Sequence, residues 1–465
     1  MVWASLLLRS VAPERGWGHE RVIGWLLFGE ILLFLSGALL GHPFLGAAAA
    51  SALLYGVFAY QRPLLGWALI WFAFPFSIEM RIPGGNAIYV PTEPMIMLWL
   101  AAGALRLPLR GPLRAPPSRF HAPLIALAAV ALASAALSPF PLLGLKAWFV
   151  AVAYAGFGFA FPFLHLGNND RASRWIPWVV GAAAGWGLYG TARVLLAGVS
   201  VQHAYGAARP FFPEHGTYSA YLSMLLPLSL LSTLEGEGRA RLLYALATIL
   251  IGFGIALSFT RAAWVSLILI LPLAVGVWAV RRRSLKPLAW AGGLAAVVLI
   301  AVAGIGAEGR IVRHASSVVE SENASNLERV NRWMAAVEMA KDRPWLGMGY
   351  GTYPAAYPNY RRKVILTEEV YFHMGAHSEP LRVLSETGIA GVLVSGWLIF
   401  VAVGLGISAY ARAARPRTGM LALAALSGLG TYLIHSVFNS YPGIDKVTIP
   451  FWTSLGILGA LGREP

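Results

Sequence analysis

The sequence predicts an all-α protein, a polytopic bundle of transmembrane helices, and three observations predict it. The chain of 465 residues is 57% hydrophobic and 12% charged, with a mean hydropathy of +0.64, far more apolar than a soluble domain. Apolar runs of about eighteen residues, the length a helix needs to cross a bilayer, recur from one end of the chain to the other. Basic residues, finally, gather in every second connection between those runs, as they do when alternate loops face the cytoplasm.

Taken in order, candidate spans lie near residues 22–40, 44–60, 63–79, 94–107, 121–138, 144–165, 175–198, 216–233, 240–259, 262–280, 287–306, 388–410, 419–438 and 447–462. That makes about fourteen, or twelve if the short and tightly joined runs are discounted. The opening MVWASLLLRS has too short an apolar run for a signal peptide, so the first span reads as an uncleaved anchor. With the N-terminus in the cytoplasm, twenty of the 36 Lys and Arg fall in inner connections, from Arg9 to Arg463. Short outer turns keep only Arg81, Lys146, Arg193, Arg209, Arg261 and Lys446. Both termini then lie on the cytoplasmic side of the inner membrane. The net charge of +15 reports this topology and contact with anionic membrane lipids, not a nucleic-acid partner.

The same topology divides the chain into an N-terminal bundle over 1–306 with about eleven spans, a long outer loop over 307–387, and C-terminal helices over 388–465. A smaller outer loop, SVQHAYGAARPFFPEHG, covers 199–215. In the long loop Ser325 and Glu328 read as a capping box, and Val330, Trp333, Met334 and Val337 recur at helical spacing before Arg343 and Pro344. These predict an amphipathic helix of about four turns whose apolar stripe packs the loop down.

Several chemistries are excluded. There are no cysteines, so no disulfide, thiolate ligand or thiol nucleophile is available. The only aspartates are Asp170, Asp342 and Asp445, scattered along the chain, and His373 and His377 lack the acidic neighbour of a zinc helix, so no metal site and no cofactor are expected. Gly347, Gly349 and Gly351 follow no strand and open no βαβ unit, so they read as tight turns or close backbone approach to a ligand and not as a nucleotide fingerprint.

What remains is arginine and histidine chemistry at the outer surface. Arg209 in the short loop and Arg261 at the start of a span suit a phosphate or pyrophosphate, which guanidiniums grip through paired hydrogen bonds without losing charge. A lone interfacial arginine also serves as a lipid-facing anchor. His377 begins HSEPLRVLSETG, which leads into the next span, and an imidazole there suits a general base. Arg332 reads as a further phosphate or sugar contact or, equally, as a helix-surface charge. His215 and His373 are candidates to orient His377 or the acceptor, and Arg361, Arg362 and Lys363 form a basic tract suited to a second anionic carrier.

The order of these features is RPFFPEHGTY in an outer loop, SFTRAAW at a span start, R-x-x-W-x-x-A and PWLGMGYG in the long loop, then HSEPLRVLSETGIAG. In this order they resemble the O-antigen ligase and O-antigen polymerase superfamily, membrane glycosyltransferases of the GT-C kind. The resemblance covers roughly residues 200–400 with motifs and the rest in hydropathy alone. The family has His-Asn where this chain has His377 and Ser378.

The resemblance implies a glycan donor on undecaprenyl pyrophosphate and an acceptor glycolipid at the outer (periplasmic) face, either a second lipid-linked repeat or lipid A core, with a chain-length regulator as a further partner. It maps Arg209 and Arg261 to the pyrophosphate arginines and His377 to the base. Such transfer is direct and inverting: the base takes the acceptor proton and the arginines stabilise a leaving group that is already anionic.

The span count and the basic tract favour a polymerase over a ligase. A peptidoglycan polymerase of the shape, elongation, division and sporulation kind shares the plan but calls for a functional aspartate in the loop. A flippase calls for repeated halves and intramembrane carboxylates, of which Glu30 is the one near mid-span.

Overall fold

A computed structural model describes residues 43–82, 86–110, 117–165, 175–304, 324–361, 375–441 and 443–463. The first candidate span, Glu30, His373, Arg362 and Lys363 lie outside the described residues. Helices α1 (Pro43–Gln61), α2 (Pro63–Ala73), α3 (Thr92–Arg110), α4 (His121–Ala136), α5 (Pro141–Ala155) and α6 (Phe161–His165) come first. They are followed by α7 (Ile176–Ala197), α8 (Val201–Gly206), α9 (His215–Glu235), α10 (Gly238–Ala256), α11 (Arg261–Arg282) and α12 (Lys286–Gly304). The long loop contributes α13 (Ala324–Asp342) and α14 (Tyr353–Tyr360), and α15 (Glu379–Arg412), α16 (Pro416–Val437) and α17 (Asp445–Leu461) close the chain.

Every candidate span from 44 onward overlaps a helix. Among the described residues seven helical stretches are long and apolar enough to cross a membrane: Pro141–His165, which runs through a π turn at Gly156–Ala160, and α7, α10, α11, α12, α15 and α16. The chain is therefore an all-helical polytopic membrane protein in its main architecture.

One small sheet departs from that expectation. Strands β1 (Ile78–Ile82) and β2 (Asn86–Val90) pair antiparallel, Ile78 opposite Val90 and Met80 opposite Ile88. The segment read as the end of a span at 63–79 turns instead through Phe74–Phe76 into β1, because IEMRI alternates apolar and polar residues as a strand does and NAIYV supplies the β-branched and aromatic residues of its partner.

The chain divides into two compact units. The first, residues 1–67 and 97–111, is described over α1, the start of α2 and most of α3; there Tyr55 OH donates to Gly66 O at 3.0 Å and Trp99 Nε1 to Pro63 O at 2.9 Å. The second, 68–96 and 112–465, holds every candidate site residue.

At the centre of the second unit is α9, buried from Gly216 to Leu226 and beyond, packed between α16 and α10. Between helices surrounded by lipid, association comes from close packing of small residues and from hydrogen bonds. The facing surface of α16 supplies Ala424, Ser427, Gly428 and Thr431: a Cβ on Gly428 would lie 2.6 Å from Met224 O, and Thr431 Oγ1 donates to Ser223 O at 3.2 Å.

Lys446, expected in an outer turn, is instead fully buried and paired with Asp445 at 3.1 Å. Its ammonium also donates to Ser77 O at 3.1 Å, so charge and hydrogen bonding both compensate its withdrawal from water.

Candidate functional site

Three stretches of the second unit build the site. The first descends from α8, whose cap Ser200 Oγ accepts from His203 N–H at 3.1 Å, through Arg209 to Glu214 at the head of α9. Arg209 is exposed and spends one donor, Nε, on Pro213 O at 3.1 Å. Glu214 does not cap α9 with its side chain; its Oε1 lies 3.4 Å from where a Cβ on Gly216 would stand, over the first turn.

The second stretch is Ser258–Arg261. Phe259 takes a left-handed backbone (φ 52°), and Thr260 Oγ1 donates to His215 O at 3.4 Å, which joins the start of α11 to the start of α9. Arg261 is the first residue of α11, where a cation opposes the helix dipole and an anion is favoured.

The third stretch carries His377. Two side chains of α13 hold its backbone: Arg332 donates to Gly375 O at 3.0 Å and Trp333 Nε1 to His377 O at 3.3 Å. Beneath them Ala335, Ala336 and Met339 pack with Met348, Tyr353 and Ala376, so α13 packs through its small residues and not through the expected stripe, of which Val330 and Val337 are exposed. The side chain of Ser325, the other half of the expected capping box, lies outside the described residues; the Glu328 carboxylate accepts from Arg332 Nε at 2.9 Å.

The glycine-rich turn meets its own chain, not a ligand. Met348 N–H donates to Ser385 O at 2.8 Å, Gly349 N–H to Glu386 O at 3.0 Å and Ile389 N–H to Pro344 O at 2.8 Å. Gly347 (φ 67°) and Gly388 (φ 65°) face this zipper, and a Cβ on either would fall within 2.4 Å of the opposing backbone. Gly388 also interrupts α15, so Arg382 sits on a short helix set off from the span proper, and His377 lies in the bend just before that helix. Arg382 is closed between Glu379, at 2.5 Å, and Glu386, whose carboxylate also accepts from Gly351 N–H at 3.0 Å and Tyr353 N–H at 3.1 Å.

His377 itself has φ 52°, a left-handed conformation that is costly for a side-chain-bearing residue and recurs at functional sites. Burial, then the charges of Arg332 and Arg329, push its imidazole down to about 3, against a hydrogen bond with the Asn439 side chain that raises it. Its ring is thus neutral and able to accept a proton.

The structure brings most of the sequence-derived candidates into one electrostatic neighbourhood. Burial raises the Glu214 carboxyl, opposed by Arg329, Arg209 and Arg332. Burial lowers the Arg329 guanidinium, followed by the neighbouring charge of Arg261, while Tyr205, Glu214 and Tyr441 favour its charged form. His215 stacks obliquely on Tyr205, ring centroids 3.9 Å apart, and lies within reach of His435. The Tyr441 hydroxyl is 3.0 Å from His435 Nδ1 and 3.3 Å from Gly216 O. Arg332 is only 1% exposed, so it is neither a helix-surface charge nor open to a ligand. Arg361 ends α14 and joins none of these contacts.

Sequence reasoning missed Arg329, Glu214, Asn439, His435 and Tyr441 as members of the site. Spacing offered a signal for Arg329 alone, four residues before Trp333 on the same helical face. Among the described residues no group of three His, Asp or Glu converges as metal ligands would.

No curated protein matches this chain. Residues 246–395 match the family described as O-antigen ligase. The matched stretch includes Arg261, Arg329, Arg332 and His377 and ends before α16; Arg209 and Glu214 precede it. That match, over about a third of the chain, makes residues 246–395 similar to the O-antigen ligase family and, on a polytopic helical frame, supports a membrane enzyme of the O-antigen ligase or polymerase type.

Proposed function

We propose that this protein moves a glycan from an undecaprenyl pyrophosphate carrier to an acceptor hydroxyl at the outer face of the inner membrane, with inversion and without a metal. Arg209 and Arg261 hold the pyrophosphate and stabilise it as it leaves. His377 takes the proton of the attacking hydroxyl. The GT-C-like bundle of about fourteen spans, the outer loop at 307–387 and cytoplasmic termini belong to the same reading.

The observation that carries it is the meeting of residues distant in sequence. Arg329 lies in the field of Arg261 and Glu214, Glu214 in that of Arg209, and His377 in that of Arg329. A group of arginines acting on a neutral, partly buried imidazole suits a reaction whose leaving group is anionic and whose nucleophile must lose a proton.

Within this reading the protein is a repeat-unit polymerase, and the alternative is a ligase acting on lipid A core. Purified protein given lipid-linked repeats alone decides between them. A ladder of longer glycans identifies a polymerase; product only after lipid A core is added identifies a ligase. If His377→Ala turned over either donor at the wild-type rate, the assignment of the base would fall.

A further inference from the structure

A groove of about 550 Å³ runs between α11 and α15 towards their C-terminal ends, the ends opposite Arg261 and the His377 segment. Leu273, Gly276, Val277 and Val280 line it from α11, and Arg281 and Tyr410 lie at its basic end. Contacts across the two helices hold that end. The Tyr410 hydroxyl donates to Val277 O at 3.1 Å, and the Arg281 guanidinium donates to Tyr410 O at 2.6 Å and to Ala413 O, 4.8 Å from the Tyr410 ring centroid. Arg281 thus caps α15. The floor of the groove is Gly276, where a Cβ would meet nothing within 4 Å, so the space is open down to the helix backbone.

Length and charge say what fills it. From Leu273 to Arg281 the helix rises roughly 12 Å, close to the roughly 15 Å of hydrocarbon in one leaflet, which is the depth of a single acyl chain. Past Arg281 the chain is basic on both sides: RRRSLK over 281–286 and YARAARPR over 410–417 hold seven Lys and Arg and no acidic residue. Arg282 is paired with Glu235. Arg283, Arg412 and Arg415 are exposed, and each lies within two residues of the contact between Arg281 and Ala413 O. An apolar slot that ends in concentrated positive charge matches a lipid with an anionic head.

We propose that this groove binds one anionic phospholipid, an acyl chain over Gly276 and its phosphate against Arg281 and Arg283. Two of the five N–H donors of Arg281 are engaged by α15 carbonyls, which fixes the guanidinium at the mouth with further donors for a phosphate oxygen. Seated there, the lipid braces α11 against α15, two helices whose opposite ends carry Arg261 and the His377 segment. No residue of the groove takes part in the proposed glycosyl transfer, so the two readings stand or fall separately.

The test is native mass spectrometry and thermal unfolding of the full-length protein in detergent, with dioleoyl phosphatidylglycerol or dioleoyl phosphatidylcholine added. Wild type retains one phosphatidylglycerol in preference to phosphatidylcholine and unfolds at a higher temperature with it. Gly276→Leu, which fills the slot without meeting a neighbour, unfolds as wild type does in detergent alone and loses both the retained lipid and its stabilisation. Val280→Trp closes the slot from an exposed position and gives the same loss. Arg283→Gln keeps the slot and lowers the preference for phosphatidylglycerol about fivefold, the share of one cation near a lipid surface.

Phosphatidylglycerol retained by Gly276→Leu and Val280→Trp as by wild type overturns the proposal, because the lipid is then a general contact of the protein's perimeter. Equal retention of the two lipids by wild type overturns it too, since the anionic head would play no part. So does displacement of phosphatidylglycerol by an equal amount of undecaprenyl phosphate, which would make the groove a berth for a carrier lipid instead.

Discussion

Two charged clusters lie close together in this protein and differ in how they are finished. Around Arg382 and Arg332 every charge is closed: Glu379 and Glu386 grip the first, and Glu328 and Gly375 O the second. Around Arg209, Glu214 and Arg329 charges act on one another without ion pairs between them. The closed cluster is a frame and the open one a receptor. His377 straddles them, its backbone held by Trp333 from the frame and its ring exposed to the field of the receptor.

Mutation should separate the two. The largest effect is expected at the point where they meet: His377→Ala lowers kcat about a hundredfold to ten-thousandfold, the usual range for a lost general base, with little change in thermal stability or donor KM. A large fall in stability instead would return His377 to the frame.

Next comes Arg382→Met, which leaves Glu386 buried without its partner and costs about 3–5 kcal/mol. Thermal unfolding in detergent should show the loss, and the surviving folded fraction should keep its donor KM. A selective rise in donor KM at full stability would make Arg382 part of the receptor.

Arg261→Lys is smaller, about a tenfold rise in donor KM with unchanged stability, because charge is kept and the two-pronged hydrogen bond is lost. Full retention of affinity would remove Arg261 from the clamp.

The smallest effect is a shift in pH dependence. With its conjugate acid pushed down to about 3, His377 stays neutral in the free enzyme as pH falls through 6.5, so the acid limb of kcat/KM for the donor lies well below the ordinary histidine range. In kcat, which reports the donor-bound enzyme, the anion offsets the arginine charges and the limb moves upward. Limbs that coincide near 6.5 would show that the open cluster does not act on His377.

Much of this was legible in sequence because the membrane simplifies the code. Long apolar runs mark helices without help from tertiary context, since backbone groups in hydrocarbon must bond within their own segment. The hairpin at 78–90 was read through because its first strand continues an apolar run and alternation over five residues is a weak signal. Arg209, Arg261 and His377 were readable as chemistry because basic residues are sparse in the outer connections, where most Lys and Arg of this chain do not fall. Lys446 was misplaced for the same reason: position suggested a turn, and only the packing of Asp445 and Ser77 around it keeps it buried.

The glycine at 347 was visible as special, but its purpose was not, because the backbone it meets, at Glu386, is about forty residues away in the chain. Arg329 and Arg332 are alike in sequence, and Glu214 has no partner within its own loop. Sequence by itself determined the class of the protein, its run of helices and the kinds of side chain available for reaction, because these follow from local composition and period. Only tertiary structure decided which arginine closes on the frame and which stays out of it, because hydrogen bonding and electrostatic pairing depend on distance in space and not on order along the chain.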